Sequence, residues 1–178
     1  MPNPTRIASV LFITACFGSL GACTTNSPSS DQPNSPVISS VIDGDTVVIR
    51  FAPGVEERVR LLGIDTPETV DPNRPVQCFG AEASAHLRAL LPPETSVRLE
   101  RDIEARDHFG RLLAYIYREQ DDLFVNLDLI AQGMADVTFY EPNITYRSEF
   151  NTSLVTAKTR AIGLWGSCGG PDVPLDPE

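Results

Sequence analysis

Short runs rich in apolar and β-branched residues occupy the chain between residues 37 and 64. Residues 37–41 and 46–51 are two such strand-like runs, and they flank an Asp43-Gly44 turn signal. Residues 59–64 form a third run, which ends before Pro67. Two later runs, 96–99 and 112–118, have the same character. The pattern therefore predicts five short strands, three of them between residues 37 and 64 and two between residues 96 and 118.

Three other segments carry apolar residues at helical spacing. The first covers residues 80–91 and stops at Pro92-Pro93. The second follows Asn126, which we predict to be its N-cap, and it places Leu127, Ile130, Ala131 and Met134 on one face. The third covers residues 146–164. Five short strands with helices outside them predict an α+β protein, built as a five-stranded OB-fold β-barrel with three α-helices.

The length of 178 residues suits one domain with short tails, and a hydrophobic content of 42% is enough for a core. We assign the domain to residues 37–168. Residues 169–178 contain Gly, Pro and three acids, which predicts a disordered acidic tail.

The N-terminus has the pattern of a signal peptide over residues 1–22. Arg6 precedes an apolar run, residues 7–20, that is too short to span a bilayer comfortably. The run ends in Leu20-Gly21-Ala22-Cys23, which resembles a bacterial lipobox, whose cysteine is acylated and becomes the mature N-terminus. We therefore expect a lipidated Cys23 and a flexible tether over residues 23–36, rich in Ser, Pro and Asn. Ordinary cleavage nearby, with Cys23 as a bystander, is the alternative.

Two cysteines remain for the domain once Cys16 in the leader and Cys23 are set aside. An exported protein folds in an oxidising compartment, so we predict that Cys78 and Cys168 form a disulfide. Two separate thiols are the alternative.

The charge balance is acidic. The formal net charge is −10, and it becomes −11 without the leader, whose only charged residue is Arg6. Binding to nucleic acid depends mainly on Lys and Arg that neutralise phosphates. If the partner is nucleic acid, basic groups must be concentrated locally or a metal must do much of the neutralising.

Carboxylates and one arginine collect at predicted strand ends between residues 43 and 68. The chain reads Asp43-Gly44-Asp45-Thr46 and then Arg60-Leu61-Leu62-Gly63-Ile64-Asp65-Thr66-Pro67-Glu68. A hard cation such as Ca²⁺ takes carboxylate and carbonyl oxygens, and an arginine fork can hold a phosphate beside it. The stretch therefore predicts a site for a cation and a phosphate. Asp43 is expected to cap the turn through its side chain, and residues 104–107 to be a solvated charge run.

Further segments complete a family pattern. In order, the chain contains Val41-Ile42-Asp43-Gly44-Asp45-Thr46-Val47, the arginine-to-glutamate stretch above, Gly80-Ala81-Glu82-Ala83-Ser84-Ala85, Asp107-His108-Phe109-Gly110-Arg111-Leu112-Leu113-Ala114-Tyr115 and Leu129-Ile130-Ala131-Gln132-Gly133. This order resembles the thermonuclease (staphylococcal-nuclease-like) family over residues 37–168. The resemblance implies an OB barrel with three helices and cleavage of phosphodiesters in DNA and RNA with Ca²⁺.

Site roles follow from the resemblance residue by residue. It implies that Asp45 and Asp65 are carboxylate ligands of Ca²⁺ and that Thr66 adds its backbone carbonyl. Glu68 matches the carboxylate that activates or positions the attacking water. The scissile phosphate is expected to bind Arg60 and Arg111.

The substrate-binding positions depart from the family's founding enzyme. The loop after Glu68 is lysine-rich in that enzyme, whereas Arg74 is the only base in residues 69–78 here. Phe109 replaces a tyrosine, so it can stack on a base but offers no hydroxyl, and Tyr140 retains a stacking tyrosine. We expect Arg74, Phe109 and Tyr140 to contact substrate, with a grip that is weak, salt-sensitive and dependent on Ca²⁺.

These observations predict an exported, membrane-tethered monomeric nuclease that acts with Ca²⁺ on single-stranded or denatured DNA and RNA. One alternative is a non-catalytic OB-fold module on the cell surface that binds nucleic acid or protein. The other is a structural lipoprotein stabilised by calcium. The presence of all the site residues named above argues against the non-catalytic module.

Overall fold

The computed structural model describes residues 35–69 and 75–175. The predicted leader, the predicted lipidation site Cys23 and residues 24–34 of the predicted tether lie outside these ranges, and so does Arg74. Within the described ranges, no helix is both long and apolar enough to cross a membrane.

The domain consists of short strands followed or separated by helices. The strands are β1 (Val37–Val41), β2 (Thr46–Ala52), β3 (Val55–Leu61), β4 (Ile64–Asp65), β5 (Val97–Glu100), β6 (Leu112–Arg118), β7 (Leu123–Phe124) and β8 (Asp136–Val137). The helices are α1 (Gly80–Leu90), α2 (Val125–Ala131), α3 (Arg147–Thr159) and α4 (Leu164–Ser167).

Five of the strands form the barrel in the order β1-β2-β3-β6-β5. Neighbouring strands are antiparallel except β3 and β6, which are parallel and pair Arg60 with Leu113. A bridge between Val37 and Ser96 then joins β1 to the start of β5. The predicted five-stranded OB barrel with three principal helices is confirmed.

The barrel interior is filled by apolar residues of the strands, at alternate positions in β2 and at the end of β3. Val47 and Ile49 of β2, Val59 of β3 and Ile116 of β6 are fully buried, and so is Phe150 of α3. Polar neighbours on the strands, such as Arg50 and Arg58, face outward. The rigid core therefore fixes the strand ends that carry the acidic cluster.

The third strand differs from its predicted extent. It begins at Val55, directly after a turn in which Gly54 has φ of 76°, and it ends at Leu61. The run predicted to reach residue 64 is interrupted because Gly63 also has positive φ, and Ile64 starts the separate strand β4. Asp65 therefore lies outside the barrel sheet, in β4, where it pairs with Asp136 of β8.

The prediction that Asn126 is the N-cap of the second helix is wrong. The helix begins at Val125 after Phe124, and Asn126 lies inside it with no exposed surface. The Asn126 side chain accepts a hydrogen bond from the Ile116 amide (2.9 Å) and donates to the Leu62 carbonyl (2.9 Å). The same acceptor chemistry that makes Asn a good cap here joins α2 to the barrel.

The last predicted helix is divided in two. Helix α3 ends at Thr159, and α4 starts after Gly163. Gly163 lies so close to the segment after α2 that an added Cβ would be 2.3 Å from the Gly133 carbonyl oxygen. The Leu164 amide donates to that same oxygen at 2.9 Å. The chain therefore leaves the helical path in order to pack against the end of α2.

The C-terminal segment up to Leu175 makes a disulfide and hydrogen bonds with the segment that precedes α1. Cys78 and Cys168 form the predicted disulfide, with a Cα–Cα distance of 6.1 Å. Beyond it, the Val173 carbonyl accepts from the Cys78 amide (2.7 Å) and the Leu175 amide donates to the Val76 carbonyl (2.9 Å). Residues 172–175 are thereby paired with residues 76–78.

Candidate functional site: an arginine–carboxylate cluster beside a cleft

Asp45 lies at the end of the β1–β2 turn, immediately before β2. The turn is closed by the Thr46 carbonyl, which accepts from the amides of Ile42 and Asp43. Asp45 is 8% exposed, and its Oδ2 accepts from the Thr66 amide (3.3 Å) and hydroxyl (3.2 Å). Packing of the turn on Thr66 requires Gly44, because an added Cβ would lie 2.6 Å from Thr66 Oγ1.

Arg60 joins the two predicted ligand carboxylates. It is paired with Thr46 across β2 and β3, so its side chain lies beside the turn. Its Nη1 is 2.6 Å from Asp45 Oδ2 and its Nη2 is 2.8 Å from Asp65 Oδ1. The Arg60 side chain is only 14% exposed, so these ion pairs are partly shielded from water.

The donor atoms around Arg60 suit a hard cation. Two carboxylates, Asp45 and Asp65, are adjacent to Thr66, and all three offer oxygen. In the described part of the chain no three His, Cys, Asp or Glu side chains converge on one point. A cation held here would therefore keep water in its coordination shell, which Ca²⁺ and Mg²⁺ both tolerate. The residues fit Ca²⁺ by ligand chemistry and by the close approach that Gly44 permits.

Asp43 makes structural hydrogen bonds at the centre of the acidic region. Its Oδ1 accepts from the Gly44 amide (2.7 Å), the Thr69 hydroxyl (2.9 Å) and the Ser84 hydroxyl (3.1 Å). Burial raises the pKa of Asp43, and the negative charges of Asp45 and Glu68 raise it further. Asp43 thus ties the turn to α1 and shows that negative charge is concentrated here.

Both the main chain and the side chain of Glu68 make hydrogen bonds. Its amide donates to Gln77 Oε1 (2.7 Å), and its carbonyl accepts from the Gln77 amide (2.9 Å). The Glu68 carboxylate accepts from the Thr69 amide at 2.9 Å. The sequence pattern does not point to Gln77, because its hydrogen bonds are made to Glu68 and Asp172, which are not its neighbours in sequence.

Arg111 is oriented by Asp107, which the sequence placed in a solvated charge run. That expectation is wrong, since Asp107 Oδ2 accepts from Arg111 Nε (2.7 Å) and Oδ1 accepts from the Arg111 amide (2.9 Å). Burial alone would raise the pKa of Asp107, but hydrogen bonds from Arg111 outweigh it and lower the pKa. The spacing of four residues across a turn was the available signal.

Arg60 and Arg111 line one cleft with a volume of about 390 Å³. The predicted substrate residues Phe109 and Tyr140 line it too, with exposures of 72% and 73%. Asn143 closes one side, where its side chain bonds the Glu104 main chain. Exposed aromatic faces beside guanidinium groups are suited to stacking and to binding phosphates.

The structure therefore brings most of the predicted site residues together. Asp45, Arg60, Asp65 and Thr66 are in direct contact, and Arg111, Phe109 and Tyr140 share the cleft with Arg60. Glu68 is connected through Thr69, which binds both Glu68 and Asp43. Arg74 and Cys23 lie outside the described residues.

The protein is thus an OB-fold protein whose barrel carries an arginine–carboxylate cluster beside a cleft. The chain belongs to the family of staphylococcal nuclease homologues, whose family model matches residues 58–167. It is 43% identical over 129 residues to a thermonuclease of Staphylococcus intermedius, covering 72% of this chain and 74% of that protein. A thermonuclease of Staphylococcus hyicus is 37% identical over 127 residues, covering 71% of this chain and 73% of the relative. Endonuclease YncB of Bacillus subtilis is 37% identical over 134 residues, covering 74% of this chain and 62% of that endonuclease.

Proposed function

We propose that the chain is a Ca²⁺-dependent endonuclease that hydrolyses phosphodiester bonds in DNA and RNA. The observation that supports this most strongly is the position of Arg60. Its guanidinium contacts both Asp45 and Asp65, and its side chain also lines the cleft. A phosphate bound to Arg60 would therefore lie beside the acidic cluster.

The chain is a nuclease, and thus a hydrolase, because it belongs to a nuclease family. The family model covers more than half of the chain, and the relatives named thermonuclease or endonuclease match it over most of the domain. The proposal adds a dependence on Ca²⁺ and a role for each site residue.

Asp45, Asp65 and the Thr66 carbonyl would hold Ca²⁺. When bound, the ion supplies polarisation of a phosphate oxygen. Partial burial of Asp45 and its hydrogen bonds from Thr66 keep that ligand in place before the ion arrives. Preorganised ligands lower the cost of forming the site.

Glu68 would hold the attacking water and accept its proton. The water oxygen forms a bond to phosphorus, and the bond from phosphorus to the leaving oxygen breaks. Negative charge on the phosphoryl oxygens grows during this step, and Arg60 and Arg111 donate hydrogen bonds to it. Because Asp107 already fixes the Arg111 side chain, little reorganisation is needed as charge develops.

The cleft favours substrates whose bases are free to stack. Phe109 and Tyr140 are largely exposed and lie in the same cleft as the two arginines. Stacking on aromatic rings is available to single-stranded or denatured DNA and RNA, whose bases are not already paired. Arg74 would add one phosphate contact from the loop after Glu68.

We further propose that the protein is exported and that an acylated Cys23 tethers it, as a monomer, to a bacterial membrane. The support is the leader and the Cys23 motif in the sequence. Mass spectrometry of the mature N-terminus should find a lipid-modified Cys23, and an unmodified N-terminus at another residue would contradict this proposal.

Digestion of denatured DNA and of RNA by the purified protein tests the enzymatic proposal. With Ca²⁺ we expect internal cleavage of both polymers, and with excess chelator none, until Ca²⁺ is restored. Binding of the polymers without cleavage would favour the non-catalytic OB-fold module instead.

A further inference from the structure

We propose that Gln77 is a positioning residue for Glu68 and that the C-terminal segment, residues 168–175, holds Gln77 in its working orientation. This inference rests on the proposed function, in which Glu68 acts on the attacking water. It adds to the site a disulfide-bonded segment at the far end of the domain, with Cys78 and Cys168 separated by 90 positions.

Gln77 binds both polar groups of the Glu68 main chain. Its side-chain Oε1 accepts from the Glu68 amide at 2.7 Å, and its own amide donates to the Glu68 carbonyl at 2.9 Å. Gln77 is 7% exposed, so water competes poorly for these bonds. The position from which the Glu68 side chain projects is therefore set by Gln77.

The orientation of the Gln77 amide is selected by Asp172. Gln77 Nε2 donates to Asp172 Oδ1 at 2.8 Å, while Oε1 faces the Glu68 amide. A reversed amide would place its NH₂ group against the Glu68 N–H and its oxygen against a carboxylate. Asp172 thus favours the one orientation in which Gln77 can accept from Glu68.

The chain on either side of Asp172 is in turn held in place. The disulfide precedes it at Cys168, and the bonds from the Cys78 amide to the Val173 carbonyl and from the Leu175 amide to the Val76 carbonyl follow it. Cys78 is the immediate neighbour of Gln77 in sequence. Reduction of the disulfide should therefore loosen the contact that orients Gln77.

Steady-state kinetics on denatured DNA with Ca²⁺ test the role of Gln77. We expect Gln77→Leu to lower kcat roughly tenfold and to leave KM within about twofold, because a misplaced Glu68 affects the transition state more than substrate binding. Asp172→Ala should lower kcat in the same direction. Asp172→Asn keeps an acceptor oxygen for Gln77 and should restore kcat to near the wild-type value.

The disulfide provides a second, independent lever. We expect the Cys78→Ser/Cys168→Ser variant to lose part of kcat, and a thiol reductant to bring the wild type to the same level. The reductant should not change the double variant. Arg118→Ala is the control for lost stability, because Arg118 binds the Leu90 carbonyl and Asp121 and touches none of the site residues. It should lower the melting temperature and leave kcat unchanged.

The inference is wrong if Gln77→Leu keeps the wild-type kcat or if that variant changes only KM. It is also wrong if Arg118→Ala lowers kcat as much as Gln77→Leu does. If Gln77→Leu does not fold, the Asp172→Ala and Asp172→Asn pair decides, and equal kcat values in that pair contradict the inference. A wild-type protein without Ca²⁺-dependent cleavage would instead refute the proposed function, so the two failures are distinguishable.

Discussion

Arg60 and Arg111 reach the same cleft by different routes. Arg60 projects from β3 and is held between Asp45 and Asp65. Arg111 lies just before β6 and is held by Asp107. The parallel pairing of β3 with β6 puts Arg60 opposite Leu113, two residues after Arg111. Both guanidinium groups are therefore fixed by carboxylates along one cleft.

Loss of either arginine should reduce turnover strongly. We expect Arg60→Ala and Arg111→Ala each to lower kcat on denatured DNA on the order of 10²–10³-fold, by analogy with lost donors to a developing oxyanion. Arg50→Ala is the matched control, since Arg50 makes an exposed ion pair with Glu94 outside the cleft. Near-full turnover in either cleft variant would show that the arginine does not act on the phosphate.

Helix α2 is joined to the barrel by one buried polar side chain. Asn126 links the Leu62 carbonyl, just past β3, to the Ile116 amide in β6. These strands carry Arg60 and follow Arg111, so the helix helps to keep the two walls of the cleft in register. Its neighbours Leu129 and Ile130 are fully buried against the same strands.

Replacement of Asn126 should therefore destabilise the domain. We expect Asn126→Leu to lower the free energy of unfolding by about 2–4 kcal/mol, because a buried carbonyl and a buried amide lose their partners. Asn151→Leu, at an exposed position of α3, should change it by less than about 0.5 kcal/mol. Denaturant unfolding monitored by circular dichroism compares the two, and an Asn126→Leu variant as stable as the control would contradict this role.

The sequence predicted the elements better than their ends. Short runs of apolar and β-branched residues identified the strands because their side chains fill the core, and the Asp43-Gly44 turn located the hairpin. Asn126 was misassigned because a cap and a buried bridge use the same side-chain oxygen. The break after Thr159 depends on the close approach of Gly163 to Gly133, which no local pattern reveals.

The candidate site residues could be named from the sequence because they lie in motifs that can be read along the chain. Asp45, Arg60, Asp65 and Thr66 come into contact because a hairpin and one break connect them. The hydrogen bonds of Asp107 and Gln77 were not predicted, because tertiary packing selects their partners. The bonds from the C-terminal segment to residues 76–78 were not predicted for the same reason.

At the scale of the whole molecule, the acidic balance limits how nucleic acid can bind. With a formal net charge of −10, the protein has few basic groups available for the phosphates of a nucleic acid. The arginines that line the cleft in the described part of the chain are Arg60, Arg106 and Arg111. All three are paired with carboxylates, Arg60 with Asp45 and Asp65, Arg106 with Glu57, and Arg111 with Asp107. Long-range attraction of a polyanion is therefore weak, and bound Ca²⁺ would supply a large share of the local positive charge.

The salt dependence of binding should reflect this small number of contacts. For single-stranded DNA with Ca²⁺ and Glu68→Gln protein, we expect a log–log slope of affinity against salt of roughly −1 to −2, at about −0.7 per phosphate contact. Arg111→Ala should make the slope shallower by about 0.7. Fluorescence anisotropy measures it, and a slope of about −5 or steeper would reveal a many-contact interface that the structure does not explain.

We expect the carboxylates around Arg60 to hold a Ca²⁺ ion that phosphodiester cleavage requires. The most direct test of this claim is the cleavage rate of denatured DNA as a function of Ca²⁺ concentration, for the wild type and for Asp65→Asn. We predict a saturable dependence in the wild type and a half-saturating concentration at least roughly tenfold higher in the variant, because the ion loses a charged ligand. A rate that is independent of Ca²⁺, or a half-saturating concentration that Asp65→Asn leaves unchanged, would contradict the claim.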